Sequence, residues 1–129
     1  MSPTPDYLTG LFGLQGQIAI VTGGAGRLGS RYVNALIEAG ASVAACDIAA
    51  APSPLVKRAI DGGATIAFHA ADVGNRPAME AVVADIVRTY GTPTILVNNA
   101  GLGSSPADAA LDTGPFEEYP DAARPGTPR

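Results

Sequence analysis

With 129 residues, 47% hydrophobic and 16% charged, the chain has enough apolar material for one small folded domain. A net charge of −4 leaves no basic footprint for nucleic acid, and a single Cys (Cys46) and a single His (His69) exclude an internal disulfide, a multi-cysteine zinc site and most Ser-His-Asp arrangements. No run of about 18 apolar residues predicts a membrane span, and "MSPTPDYLTG" lacks the basic-then-apolar order of a secretory leader, so a cytoplasmic location is expected.

Residues 1–16 are punctuated by Pro and Gly and are expected to lie on the surface. "QIAIV", Gln17 to Val21, is a short apolar run rich in β-branched residues that stops at Thr22-Gly23-Gly24, which predicts a buried strand. A helical period follows from Leu28 to Ala39, with Leu28, Tyr32, Ala35, Leu36 and Ala39 on one face and Gly40 as its stop. "SVAACDI" is the second strand, "SPLVKRAIDGG" a short helix and "TIAFHA" the third strand. Met79, Val82, Val83, Ile86, Val87 and Tyr90 then repeat at helical spacing between Pro77 and Gly91, and "TILVNNA" is the fourth strand.

Alternating strands and helices, with strands apolar throughout, predict a parallel sheet covered on both faces. Right-handed crossovers make this an α/β, Rossmann-like doubly wound fold over residues 17–101, cut short after about four strands. Residues 102–129 carry no long apolar period and are expected to be an irregular tail.

"TGGAGRLG", Thr22 to Gly29, joins the first strand to the first helix. It fits Gly-x-Gly-x-x-Gly through Gly24, Gly26 and Gly29, and Gly-x-x-Gly-x-x-Gly through Gly23, Gly26 and Gly29. Glycine allows tight turns and close approach of backbone to a pyrophosphate, and the helix N-terminus supplies free N–H groups and partial positive charge. Asp47 ends the second strand, where a carboxylate can accept both ribose hydroxyls of an adenosine and repel a 2′-phosphate. This pattern points to NAD rather than NADP. Arg27 is open to two readings, a phosphate partner or a solvated first-turn residue. Cys46 and His69 read as structural.

These residues resemble the short-chain dehydrogenase/reductases, through "TGGAGRLG", Asp47, "ADV" at Ala71 to Val73 and "NNAG" at Asn98 to Gly101, in order across roughly residues 11–101. The resemblance implies a pyrophosphate loop lined by Gly23, Arg27 and Leu28, with Asp47 and Ile48 flanking the adenosine ribose. It implies adenine contacts from Asp72 and Val73, and Asn99, Ala100 and Gly101 under the nicotinamide-side ribose, with the Asn pair tying strand four to its neighbours. It further implies hydride transfer on a small alcohol or ketone, in complete homologues that are homo-oligomeric. One departure is Arg27, where many members carry Gly.

The chemistry of that family needs a Tyr with a Lys four residues later, which lowers the phenol pKa toward neutrality. Four residues beyond Tyr119 stands Ala123; from Tyr7, Tyr32 and Tyr90 the same step reaches Leu11, Leu36 and Thr94. Lys57 is the sole lysine and no such Tyr precedes it. Ser104 and Ser105 read as a polar loop. No catalytic residue and no metal site is therefore assigned. The chain reads as the cofactor-binding half of an NAD(P)-dependent oxidoreductase, with a non-catalytic dinucleotide-binding module or an inactive truncated fragment as alternatives.

Overall fold

A computed structural model describes residues 5–101. Its elements run α1 (Pro5–Phe12), β1 (Ile18–Thr22), α2 (Gly29–Glu38), β2 (Ser42–Asp47), α3 (Pro54–Asp61), β3 (Ile66–Ala70), α4 (Arg76–Thr89) and β4 (Ile95–Val97). The four strands form one parallel sheet in the order β3-β2-β1-β4. The expected α/β doubly wound half is therefore present. β1 pairs with β2 from Ile18↔Ser42 to Thr22↔Cys46, and with β4 from Ala19↔Ile95 to Val21↔Val97.

Two apolar layers hold helices to the two faces of the sheet. Ala19, Val21, Val43 and Ala45 pack with Val33 of α2 and Val56 of α3. Ile20, Ala44 and Cys46 pack with Val82 and Ile86 of α4. Alternate residues of β1 and β2 thus serve opposite layers, so both strands must be apolar at every position. Local chemistry sets the helix ends. Ser53 Oγ accepts from the Val56 N–H at 3.3 Å, Asn75 Oδ1 accepts from the Ala78 N–H at 3.1 Å, and a Pro sits in the first turn of each of those helices.

The structure differs from the sequence pattern in four places. The N-terminal segment contains a helix, α1, whose Leu11 and Phe12 are exposed, as is Tyr7. The face of α2 that meets the sheet is Gly29, Ser30 and Val33, with Leu36 and Ile37 beside it; Leu28 and Tyr32 are exposed. The helix is rotated this way because Gly29 must sit against the preceding loop. In α4 only Val82 and Ile86 are buried, flanked by Met79 and Tyr90, while Val83 and Val87 stay open to solvent. β4 ends at Val97, because the chain turns toward β1 at Asn99.

Candidate functional site

From β1 the strand order runs through β2 to β3 in one direction and to β4 in the other. In open α/β sheets a crevice forms where the order reverses, outside the carboxyl ends of the strands. Here a cavity of about 720 Å³ opens at that place. Its wall is drawn from four segments: Gly23, Gly26, Arg27, Leu28 and Gly29 after β1; Asp47 and Ile48 after β2; Ala71 to Gly74 after β3; Asn99, Ala100 and Gly101 after β4.

The loop after β1 is shaped by close contacts that only glycine allows. Gly23 adopts φ +67°, in the left-handed region. A Cβ on Gly29 would lie 2.0 Å from the Gly23 carbonyl oxygen and 2.7 Å from Asn99 Nδ2. That contact locks the first turn of α2 onto the loop. The backbone N–H groups of Arg27, Leu28 and Gly29 meet no acceptor among the described residues. Leu28, at the N-cap of α2, provides no side-chain cap.

The Asp47 carboxylate is fixed by two backbone donors. The Ala25 N–H donates to Oδ2 at 2.9 Å and the Ala49 N–H donates to Oδ1 at 3.0 Å. Asp47 thereby ties the glycine loop to the end of β2. Asp72 Oδ1 accepts from the Gly74 N–H at 2.8 Å. Ile48 is 69% exposed and Val73 48% exposed, so both offer apolar surface to the cavity.

Thr22 is buried and joins the ends of β1 and β4. Its hydroxyl accepts from the Asn99 N–H at 3.1 Å and the Ala100 N–H at 3.0 Å, and lies 3.4 Å from the Val97 carbonyl as a donor. Asn99 Nδ2 returns two bonds, to the carbonyls of Thr22 at 3.1 Å and Gly23 at 3.2 Å. The floor of the cavity is therefore stitched to the glycine loop.

The family described as short chain dehydrogenase matches residues 17–123. This chain belongs to that family. A 3beta-hydroxysteroid dehydrogenase 2 from Eggerthella lenta is 39% identical over 90 residues, 69% of this chain and 35% of the relative. A 3-beta-hydroxysteroid dehydrogenase from Comamonas testosteroni is 38% identical over 106 residues, 82% of this chain and 40% of the relative. A solved structure from Haemophilus influenza, described as a D-mannonate oxidoreductase with bound NAD, superposes with a TM-score of 0.68 at 26% identity, covering 77% of this chain and 35% of that one. The chain thus spans well under half the length of the relatives it matches.

The family membership and the Rossmann-like fold read from the sequence both hold. Of the residues singled out in the sequence, the structure gathers Gly23, Gly26, Arg27, Leu28, Gly29, Asp47, Ile48, Asp72, Val73, Asn99, Ala100 and Gly101 around one cavity. Gly24 stands behind that wall. Its N–H donates to the Cys46 carbonyl at 3.0 Å, and a Cβ there would lie 2.8 Å from the Cβ of Ala45. Sequence reasoning missed Gly74, which lines the cavity, and gave no role to Ala71, quoted in "ADV", which also lines it, or to Thr22, quoted at the start of the glycine loop, which holds its floor. The signal for Thr22 was a hydroxyl closing an otherwise apolar strand.

Cys46 is fully buried, and that burial pushes its thiol up to about 11, so it is a poor nucleophile. His69 Nε2 has no hydrogen-bond partner among the described residues and lies 3.9 Å from Asp85 Oδ2 of α4, outside the cavity lining. Among the described residues no cluster of three or more His, Cys, Asp or Glu could hold a metal ion, and no helix is long and apolar enough to cross a membrane. Tyr119, Ser104 and Ser105 lie outside the described residues.

Proposed function

We propose that the cavity binds a nicotinamide dinucleotide and takes NAD in preference to NADP, as the cofactor half of an oxidoreductase acting on an alcohol or ketone. The observation that carries this reading is the Asp47 carboxylate, held at the cavity by the Ala25 and Ala49 N–H groups. A fixed carboxylate there accepts from ribose hydroxyls and repels a 2′-phosphate. The dinucleotide bound to the Haemophilus influenza structure is NAD, which supports the same choice.

The residues present suit the group. The N–H groups of Arg27, Leu28 and Gly29, which meet no acceptor among the described residues, lie at the N-terminus of α2 and suit a pyrophosphate. Gly23, Gly26 and Gly29 keep side chains out of its way, and Gly24 lets the loop press against β2. Ile48 and Val73 give apolar surface for the adenine, with Asp72 beside it. Asn99, Ala100 and Gly101 form the floor under the nicotinamide-side ribose, positioned by Thr22. Bound NAD supplies a hydride acceptor; this chain's described residues bind and orient it.

Asp47→Ala is expected to weaken NAD binding by about 1–3 kcal/mol, the scale of hydrogen bonds to a charged group. Calorimetric titration of both cofactors tests this, and tighter NADP than NAD binding by the unmodified chain would overturn the preference. No Tyr-x-x-x-Lys exists within the 129 residues, so we expect NAD binding without turnover from this chain by itself. The assay is the absorbance of reduced nicotinamide over a panel of sugars, polyols and secondary alcohols; robust turnover by pure protein refutes the expectation. A second reading, a dinucleotide-binding module with no catalysis of its own, draws on the same observation, because the cradle needs no phenol. An inactive fragment is the outcome if NAD leaves the melting temperature unchanged.

A further inference from the structure

His69 carries the one imidazole of the chain, and it lies outside the cavity lining. It stands on β3 in register with Cys46 of β2. Register partners on neighbouring strands point to the same face of a sheet, so His69 lies on the face that α4 covers. Its side chain is 16% exposed, and its Nε2 atom is buried without a hydrogen-bond partner among the described residues. A buried nitrogen left unpartnered costs free energy comparable with a lost hydrogen bond, so its presence calls for a reason. Asp85 of α4 supplies one. Its Oδ2 lies 3.9 Å from Nε2, too far for a hydrogen bond and within reach of an ion pair. Its other oxygen, Oδ1, accepts from Arg88 Nη2 one turn along the helix.

The other ionisable groups on the surrounding elements are neutral or engaged elsewhere. The Cys46 thiol is pushed up to about 11 by burial and stays uncharged near neutral pH. The Asp47 carboxylate accepts from the Ala25 and Ala49 N–H groups, and Asp72 Oδ1 from the Gly74 N–H. Glu80 of α4 is paired with Arg76. Apart from the approach of His69 to Asp85, no hydrogen bond or ion pair joins β3 to α4 among the described residues. Apolar packing through Val82 and Ile86 holds the rest of the helix to the sheet.

We propose that His69 and Asp85 form a pH-gated latch between β3 and α4: protonated His69 pairs with Asp85 Oδ2 and fastens the helix to the strand, and neutral His69 releases it. Protonation puts an N–H and a positive charge on a partly shielded ring that faces a carboxylate, and only the charged ring is attracted to that carboxylate. Pairing favours the protonated ring. The added stability is therefore present below the ordinary imidazole value of about 6.5 and is lost as pH rises past it. The stretch closed by the latch, from His69 to Asp85, includes Ala71 to Gly74, which line the cavity. That wall is thus held more firmly in acid than in alkali.

The test is a double-mutant cycle. The unmodified chain, His69→Gln, Asp85→Asn and the double variant are unfolded in urea at about pH 5.5 and about pH 8, on either side of the imidazole value. Titration of groups other than this pair cancels in the cycle. The coupling between the two positions is expected to change the unfolding constant about threefold at the lower pH, the scale of a partly exposed ion pair, and to vanish at the higher. Amide hydrogen exchange, corrected for its intrinsic pH dependence, should show Val82 to Ile86 opening less often in acid in the unmodified chain and equally at both pH values in Asp85→Asn. That measurement needs no His69 variant, so it decides the matter if His69→Gln fails to fold. Coupling of the same size at both pH values, coupling larger at pH 8, or no coupling at either overturns the latch.

Discussion

Ile20 and Leu96 are direct partners across β1 and β4, on the same face of the sheet, yet Ile20 is 6% exposed and Leu96 60%. Their sequence surroundings, "IAIVT" and "ILV", are nearly the same kind of apolar run. The difference comes from α4. Its Val82 and Ile86 pack on Ile20, Ala44 and Cys46, and none of its buried layer includes a β4 residue. On the opposite face Ile95 and Val97 do reach the core under α2 and α3. β4 is thus half a core strand. Among the described residues it packs into the core on one side, and no helix covers it on the other, whereas β1 is enclosed on both.

The sharpest way to break this comparison is to truncate the two partners. Ile20→Ala should cost about 3 kcal/mol, because it removes buried methyl groups from a close-packed layer and leaves a cavity. Chemical denaturation of the two variants reads the gap. A loss below about 1 kcal/mol would mean that the α4 layer collapses around the void. A second variant asks how β4 is held. Thr22→Val keeps shape but removes the acceptor of the Asn99 and Ala100 N–H groups, so a loss of about 2 kcal/mol is expected. Amide hydrogen exchange should show Asn99 and Ala100 deprotected in that variant while Val43 to Cys46 in β2 stay slow. Leu96→Ala should fall within about 0.5 kcal/mol, as an exposed position does. A larger loss would show that something buries Leu96 in solution. Self-association is one way, since an uncovered strand edge beside apolar side chains is a template for pairing; sedimentation at several concentrations would reveal it.

Much of the site was legible because it depends on short motifs in fixed structural contexts. A glycine loop between a strand and a helix, and an acid at the next strand end, can be recognised without coordinates. The same holds for "ADV" and "NNAG", through the family resemblance. The misplaced helix faces show where that legibility stops. Leu28 and Tyr32 look like core residues by spacing, and Val83 and Val87 extend the apolar stripe of α4, yet all four are exposed. Periodicity gives the existence of an apolar stripe, but the rotation of the helix is set by its tightest contact. For α2 that contact is Gly29 on the Gly23 carbonyl, a pairing between residues that the pattern treats as loop.

The sequence by itself determined the order of strands and helices, their parallel arrangement and the family, because these follow from period, punctuation and motif chemistry, all local properties of the chain. Only the tertiary structure decided that Thr22 carries the floor of the cavity, that Gly24 stands behind its wall and that Arg27 is the one cation among the described residues that line it. It alone decided that Asp47 is clamped by Ala25 and Ala49. Those facts join residues that are far apart in sequence, such as Thr22 with Asn99 and Ala25 with Asp47. Distances of that kind are fixed by sheet register and helix packing, which no single stretch of the chain encodes.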